Sequence, residues 1–436
     1  MMQRVQLQLT LLFLGCLLSF QSLAAVKIQS WQTSQGAKVM FVAAPELPMM
    51  DMRVAFDAGS ARDGEKWGLA SMTAALIGSA TATRNENQIS DGFNRLGSEF
   101  SQQAGRDSAD FSLRCLSRED IRKQALAQFS EVLGKARFDD KILQRERSRW
   151  LAMLKQKNSQ PQVLASDLLW KTLYGDHPYA HSSDGTMQTV ETIKQADLQA
   201  FYQRYYTASN AVISLVGDLD RKQAERIAEQ LAQALPQGTK PKALPPVEEM
   251  KNPQTLMREF PSTQTYILNA QKGIKRGDPD YVALFVANEA FGGGGFGSYL
   301  MDEVREKRGL AYSVYSYFAP MKLAGPFTIG LSTKNASAKQ AQEVVDHSLH
   351  TFVATLNEER LQEIKDNLIG GFPLRMDSNA KLVAYISMIG FYGLPLDYLQ
   401  WFPQQVEKLS LQQVIDAWKK HIGKSPMLRV MVGEPK

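Results

Sequence analysis

Two segments of this chain are built alike. DFSLRCLSREDIRKQALAQFSEVL, from Asp110, and PFTIGLSTKNASAKQAQEVVDHSL, from Pro326, each read as an alternating strand, a polar turn and a helix with apolar residues at helical spacing. The correspondence returns further along. NAVISLVGDLD, from Asn210, and SPMLRVMVGEP, from Ser425, both close an apolar strand on Val-Gly-acid. A duplication with a period of roughly 200 residues means two tandem homologous domains, not a solenoid of short repeats. Between the copies, GTKPKALPPVEEM at 238–250 is rich in Pro and Lys, as a linker would be. Strands and helices interleave within each copy. The expected architecture is therefore α+β: domains at 25–237 and 251–436, each a mixed or antiparallel sheet with helices packed on one face.

Composition matters here mainly for what it excludes. With 44% hydrophobic and 22% charged residues the chain is globular, and its 436 residues suffice for full-sized cores. The net charge of +5 comes from basic residues scattered among acidic ones, so no stripe points to nucleic acid.

The N-terminal MMQRVQLQLTLLFLGCLLSFQSLAA reads as a secretory signal peptide over 1–24. It has one early charge at Arg4, an apolar run from Leu7 to Phe20 and a small-residue exit at Ser22-Leu23-Ala24. The run is short for a bilayer span of ~20 residues. An uncleaved membrane anchor and cleavage as a lipoprotein at Cys16 are the other options, with Phe13 fitting the latter site poorly. Nothing later is apolar enough to span, so the expectation is export, with a bacterial periplasm as the simplest compartment. Export leaves Cys115 as the lone cysteine, expected to be a small core residue.

The richest stretch is FGGGGFGSYLMDEVREKRGLAYSVYS, Phe291 to Ser316. It formally contains G-x-G-x-x-G at Gly292, Gly294 and Gly297, but a helix-like segment precedes it where a dinucleotide site needs a strand. Ser298 and Tyr299 stand where a P-loop needs Lys. Gly293, Gly294 and Gly295 are instead expected to be a turn or a mobile backbone surface beside a substrate cavity. SYLMDEVREKRG reads as a helix ended by Gly309, with Arg305, Lys307 and Arg308 near its C-terminus. LAYSVYSYF alternates as a strand, which puts Leu310, Tyr312 and Val314 on one face and Ala311, Ser313 and Tyr315 on the other.

This stretch resembles the second domain of the pitrilysin/insulinase zinc peptidases, which include the mitochondrial processing peptidase. Three other places match in order: AGSARDGEKWGLA from Ala58, YGDHPYAHSSDGT from Tyr174 and FYQRYYTASNAVISLVGDLD from Phe201. The family's catalytic helix carries H-x-x-E-H, with a distal glutamate as third zinc ligand. Aligned on Gly68-Leu69-Ala70, this chain has SMTAA there instead. Ser71 and Ala75 take the histidine positions and Ala74 that of the base. The distal ligand falls near Ala152. None of these can hold zinc as the family does, so no metal is expected in this chain.

Other histidines offer little. His347 and His350 sit at i,i+3 beside Asp346 without an evident third ligand, His177 and His181 flank Pro178 in a loop, and His421 is isolated.

The resemblance also implies an Arg and a Tyr seven residues apart that reach toward the scissile peptide. Arg305 and Tyr312 match that pair. Family members often carry Arg where Tyr299 stands, a departure at the start of this helix. Family chambers close like a clamshell from two halves, and this chain has the length of one. The implied role is a zinc-free subunit that handles peptide or unfolded polypeptide together with a sister subunit carrying H-x-x-E-H and the zinc. The alternative is a catalytically inert binding or scaffold protein of the same fold.

Overall fold

The computed structural model describes residues 26–422 and 426–435. The expected signal peptide and Cys16 lie outside the described residues. Among the described residues, eleven strands form two sheets. The first contains β1 (Gln29–Gln32), β2 (Lys38–Ala43), β3 (Met49–Phe56), β4 (Glu99–Ala104), β5 (Ala109–Leu116) and β6 (Ala211–Gly217). The second contains β7 (Gln254–Glu259), β8 (Gln264–Lys272), β9 (Ala311–Phe318), β10 (Pro326–Lys334) and β11 (Leu428–Gly433).

The spatial orders are β1-β2-β6-β3-β5-β4 and β7-β11-β8-β10-β9. Apart from β1, each strand of the first sheet has a counterpart in the second. Both sheets contain one parallel pair, β2 with β6 and β7 with β11, among antiparallel neighbours. The two Val-Gly-acid motifs occupy equivalent corners: Gly217 and Gly433 share φ +149°. A Cβ on Gly217 would lie 2.2 Å from the Met49 carbonyl oxygen, so this corner requires glycine.

The repeated strand-helix segments are β5 with the Glu119–Gly134 helix, and β10 with the Ala338–Thr355 helix. Each sheet packs its own apolar helices on one face, as expected. Its other face is covered by a helix from the opposite half. The Pro161–Tyr174 helix packs on β11 and β8, burying Leu164, Leu169 and Leu173 against Leu268 and Val430. The Asn379–Tyr392 helix packs on β6, β3 and β2. Gly390 lets it approach closely, since a Cβ there would come within 2.7 Å of Met40 and Val212. This exchange makes the two halves parts of one packed body.

Residues 238–250 contain no helix or strand, yet they are fastened. Pro245 O accepts from His177 Nε2 at 3.0 Å and Lys242 O from Arg62 at 2.8 Å. Cys115 is buried in the first core, and burial pushes its thiol up to about 12. Among the described residues no helix is long and apolar enough to cross a membrane.

Candidate functional site

The Tyr281–Asn288 helix runs on through a wide turn, Glu289–Gly293, into the glycine-rich loop. Its glycines do different jobs. A Cβ on Gly293 would meet Asn288 Nδ2 at 2.5 Å, and one on Gly294 would meet Glu289 O at 2.6 Å. Both glycines are exposed, and a side chain at either would meet the end of the preceding helix. Gly295 faces open space at φ +66°. Arg360 donates to the Gly297 carbonyl and ties the loop to the Glu358–Gly371 helix.

The next helix includes a widened stretch, Met301–Glu306, in which Lys307 N–H bonds Asp302 O at 2.9 Å, five residues back. Gly309, at φ +61°, ends it by donating its N–H to Arg305 O at 2.8 Å. The three cations near its end then part ways. Lys307 pairs with Asp302 and Glu303, both at 2.7 Å, and Arg308 with Glu303 at 2.7 Å. Arg305 turns aside. Its guanidinium carbon lies 4.8 Å from the centroid of Phe296 and 5.1 Å from that of Tyr312. Its carboxylate neighbour is Glu306, at 3.6 Å.

Tyr312 does not sit where simple alternation places it. Ala311 pairs with Thr333 and Val314 with Leu331, so Tyr312 and Ser313 together oppose Ser332. This β-bulge breaks the period-two pattern. Ala311 and Val314 are buried, while Tyr312 is 84% exposed. The expected grouping of Tyr312 with Leu310 and Val314 is thus corrected.

β9 is an edge strand, and the Pro161–Tyr174 helix covers the β8 and β11 side of the sheet. Tyr315 and Tyr317 stack at 6.0 Å and remain partly exposed. Tyr315 lies on Gly330, where a Cβ would come within 2.4 Å of its ring. Phe296, 72% exposed, is the residue that sequence reasoning missed. A large aromatic inside a glycine run was the signal that could have found it.

The positions aligned with a zinc site are differently arranged. Ser71 and Ala74 are buried and Ala75 exposed on the Leu69–Leu76 helix, with Ala152 exposed on the Asp140–Lys157 helix. The Ser71 hydroxyl donates to Ser183 O at 2.7 Å, and the Trp150 indole donates to Asp184 O at 2.9 Å. Lys157 pairs with Asp184. The 182–185 loop therefore bridges the two helices. Gly185 permits its approach, since a Cβ there would fall 2.2 Å from Trp67 O. With three alanines and a hydroxyl already engaged, the donor set does not fit zinc.

Beside this helix, buried Asp63 accepts from Gly68 N at 2.8 Å and Ala70 N at 2.7 Å, with His181 Nε2 at 3.2 Å. Burial raises the Asp63 pKa, and His181 opposes the rise. His181 stacks on Trp67. Both groups are spent on the helix N-terminus.

His421 is not isolated. Its Nε2 lies 2.8 Å from Asp280, and Asp278 completes a loose cluster. Lys420 already meets Asp280 at 2.6 Å, which supplies its positive charge. His347 and His350 are exposed, and Asp346 pairs with Arg429 at 2.6 Å.

Two sheets related by duplication, with Ser71, Ala74 and Ala75 at the helix positions aligned with the zinc site, define an M16-type peptidase fold. Residues 38–187 match the family model described as Insulinase (Peptidase family M16), and residues 192–368 match the Peptidase M16 inactive domain. A crystal structure of a peptidase M16 inactive domain from Pseudomonas fluorescens is 42% identical, with TM-score 0.91 over 94% of this chain and 98% of that one. The chain belongs to peptidase family M16. A "Non-peptidase homolog YmxG" of Helicobacter pylori is 27% identical over 86% of this chain and 87% of that protein. The periplasmic protease PqqL of Escherichia coli shares the fold, with TM-score 0.79 at 14% identity, and this chain spans 46% of its length.

Proposed function

We propose that this chain is an exported, zinc-free subunit of a two-chain M16 metallopeptidase. It would pair with a sister subunit that carries H-x-x-E-H and the zinc, and supply Arg305, Tyr312 and chamber surface for peptide binding. The observation that carries this reading is the setting of Arg305. A guanidinium lying against two aromatic rings, with one carboxylate at 3.6 Å from Nε, keeps its other N–H groups available. The exposed Tyr312 hydroxyl is a second donor nearby. Two such donors can bond a peptide carbonyl oxygen as it becomes an oxyanion. The glycine-rich loop takes part by presenting Phe296 against Arg305.

The name of the Helicobacter relative and the absence of zinc donors at Ser71, Ala74, Ala75 and Ala152 support the non-catalytic half of the reading. The same facts favour the second reading, an inert binding or scaffold protein. One experiment separates them. The protein is purified from its own cells under gentle conditions, co-eluting chains are identified, and the fraction is assayed for chelator-sensitive peptide cleavage. An equimolar chain with H-x-x-E-H, and activity lost when the chains separate, is expected. A solitary, inactive chain overturns the split peptidase.

A further inference from the structure

A cavity of about 390 Å³ opens in the second half, and neither Arg305 nor Tyr312 lines it. Its size falls within the usual range for small-ligand sites. Aromatic rings build its wall: Phe402 stacks on Phe372 at 5.5 Å and meets Phe285 edge-on at 5.7 Å, with Tyr398 at 5.9 Å. Three cations also line it, Arg276, Arg375 and Lys381, and no carboxylate does.

Those cations are not equivalent. Lys381 is neutralised by Asp377 at 2.9 Å and bonds Leu374 O at 3.0 Å. Arg276 and Arg375 form no ion pair among the described residues. Arg276 lies over Tyr281 at 5.6 Å and Tyr392 at 5.4 Å, and Arg375 over Phe285 at 5.7 Å. Ring faces stabilise the charge but accept nothing from the N–H edges. Arg276 Nε is buried without a hydrogen-bond partner, which an incoming acceptor would supply. Glu289 lines an adjoining smaller cavity, which shares Tyr281 and Phe285.

We infer that this cavity binds a carboxylate carried on an aromatic or large apolar body, with the carboxylate between Arg276 and Arg375 and the body among the rings. Two guanidinium edges match a planar carboxylate. A phosphate dianion would need more donors than the apolar wall offers. No lining acid is present to receive an α-ammonium group, so a free amino acid fits poorly. The C-terminus of a peptide ending in an aromatic residue has this chemistry, and so does a simple aromatic acid. The site requires neither a partner subunit nor Arg305, and it stands or falls apart from the split-peptidase reading.

The test is titration calorimetry on the full mature chain with N-acetyl-phenylalanine, its amide, 3-phenylpropionate and the peptide Ala-Ala-Phe with its N-terminus acetylated. The acid is expected to bind at least tenfold tighter than the amide. Arg276→Gln and Arg375→Gln should each weaken the acid about tenfold, the worth of ~1.4 kcal/mol, and leave the amide unchanged. Lys381→Gln should change little. A peptide tighter than 3-phenylpropionate identifies a chain end as the source, and parity identifies a free acid. Equal binding of acid and amide, no saturation by either, or indifference to both arginine variants overturns the inference. Unchanged thermal melting of Arg375→Gln guards against misfolding as the cause.

Discussion

Arg305 and Tyr312 come from different elements, a widened helix end and a bulged edge strand, yet the guanidinium of one lies 5.1 Å from the ring centroid of the other. The widened turn and the bulge each disrupt an otherwise regular element. π-type turns and β-bulges are both over-represented beside functional sites. For the subunit role proposed above, replacing Arg305 with Gln should lower kcat of the reconstituted pair by ~10²–10³, with KM little changed, as for loss of one oxyanion donor. Stability should stay within about 0.5 kcal/mol, because the half-buried side chain makes only a loose 3.6 Å ion pair. Arg305→Lys should not rescue, since an ammonium cannot stack between rings and donate from an edge. Steady-state kinetics and calorimetric melting of the same preparations check both halves.

Metal removal should leave the isolated chain unchanged. A site half-saturated well below its ambient zinc would add RT ln(1 + [L]/Kd), ~2.7 kcal/mol at a hundredfold excess. Ser71 and three alanines cannot supply that. EDTA is therefore expected to leave the melting temperature where it was, and elemental analysis to find less than stoichiometric zinc. A drop of several degrees on chelation would show a metal site.

The corners of the two sheets supply a paired prediction. Gly217→Ala puts a Cβ 2.2 Å from Met49 O at φ +149°, and Gly433→Ala puts one 2.7 Å from the Thr265 Cα at the same φ. Backbone strain and overpacking each cost about 1–3 kcal/mol. Both variants should lower the urea midpoint, Gly217→Ala more than Gly433→Ala. Equal, negligible shifts would mean that the corners yield freely.

Acid should break the bond that Tyr179 N–H makes to His177, while the bond to the linker carbonyl survives. Tyr179 N–H donates to His177 Nδ1 at 3.1 Å, so the neutral ring donates from Nε2 to Pro245 O at 3.0 Å. Burial, the largest cause, lowers the His177 pKa below its ordinary value. A histidine with a lowered folded pKa binds its proton more readily when unfolded. Its contribution is thus complete above the unfolded value, about 6.5, and is lost as pH falls from there toward the folded value. Melting temperatures from pH 8 to pH 5 should fall more steeply for the native chain than for His177→Gln. Parallel slopes would remove His177 from the account.

The duplication was legible because it rests on local patterns: β5 and β10 alternate, and a helix with a buried apolar stripe follows each. The paired Val-Gly-acid ends were legible for the same reason. Four things were not. The Leu164-Leu169-Leu173 stripe shows that its helix buries a face, but not that the face belongs to the other half's sheet. Gly390 within a helix was a hint of close approach, though without a direction. Tyr312 was assigned to the wrong face because a bulge depends on the partner strand, and local alternation cannot register an extra residue. His421 found Asp280 only through tertiary packing. The loss of zinc donors, in contrast, needed only side-chain identities.

The exchanged helices make a final prediction about cooperativity. Asp107, in the β4–β5 turn, accepts from Tyr179 OH at 2.5 Å, Tyr392 OH at 3.1 Å and Lys322 N–H at 2.8 Å. It is buried and joins both halves at one carboxylate. Asp107→Ala leaves three donors unpaired at ~1–3 kcal/mol each, less whatever water recovers. The apolar faces under Pro161–Tyr174 and Asn379–Tyr392 remain intact in that variant, and they hold each half's core closed against the other. Denaturation should therefore shift by several kcal/mol yet stay a single transition with coincident fluorescence and circular dichroism. Two separated transitions would mean that the polar knot, and not the exchanged helices, makes the halves unfold together.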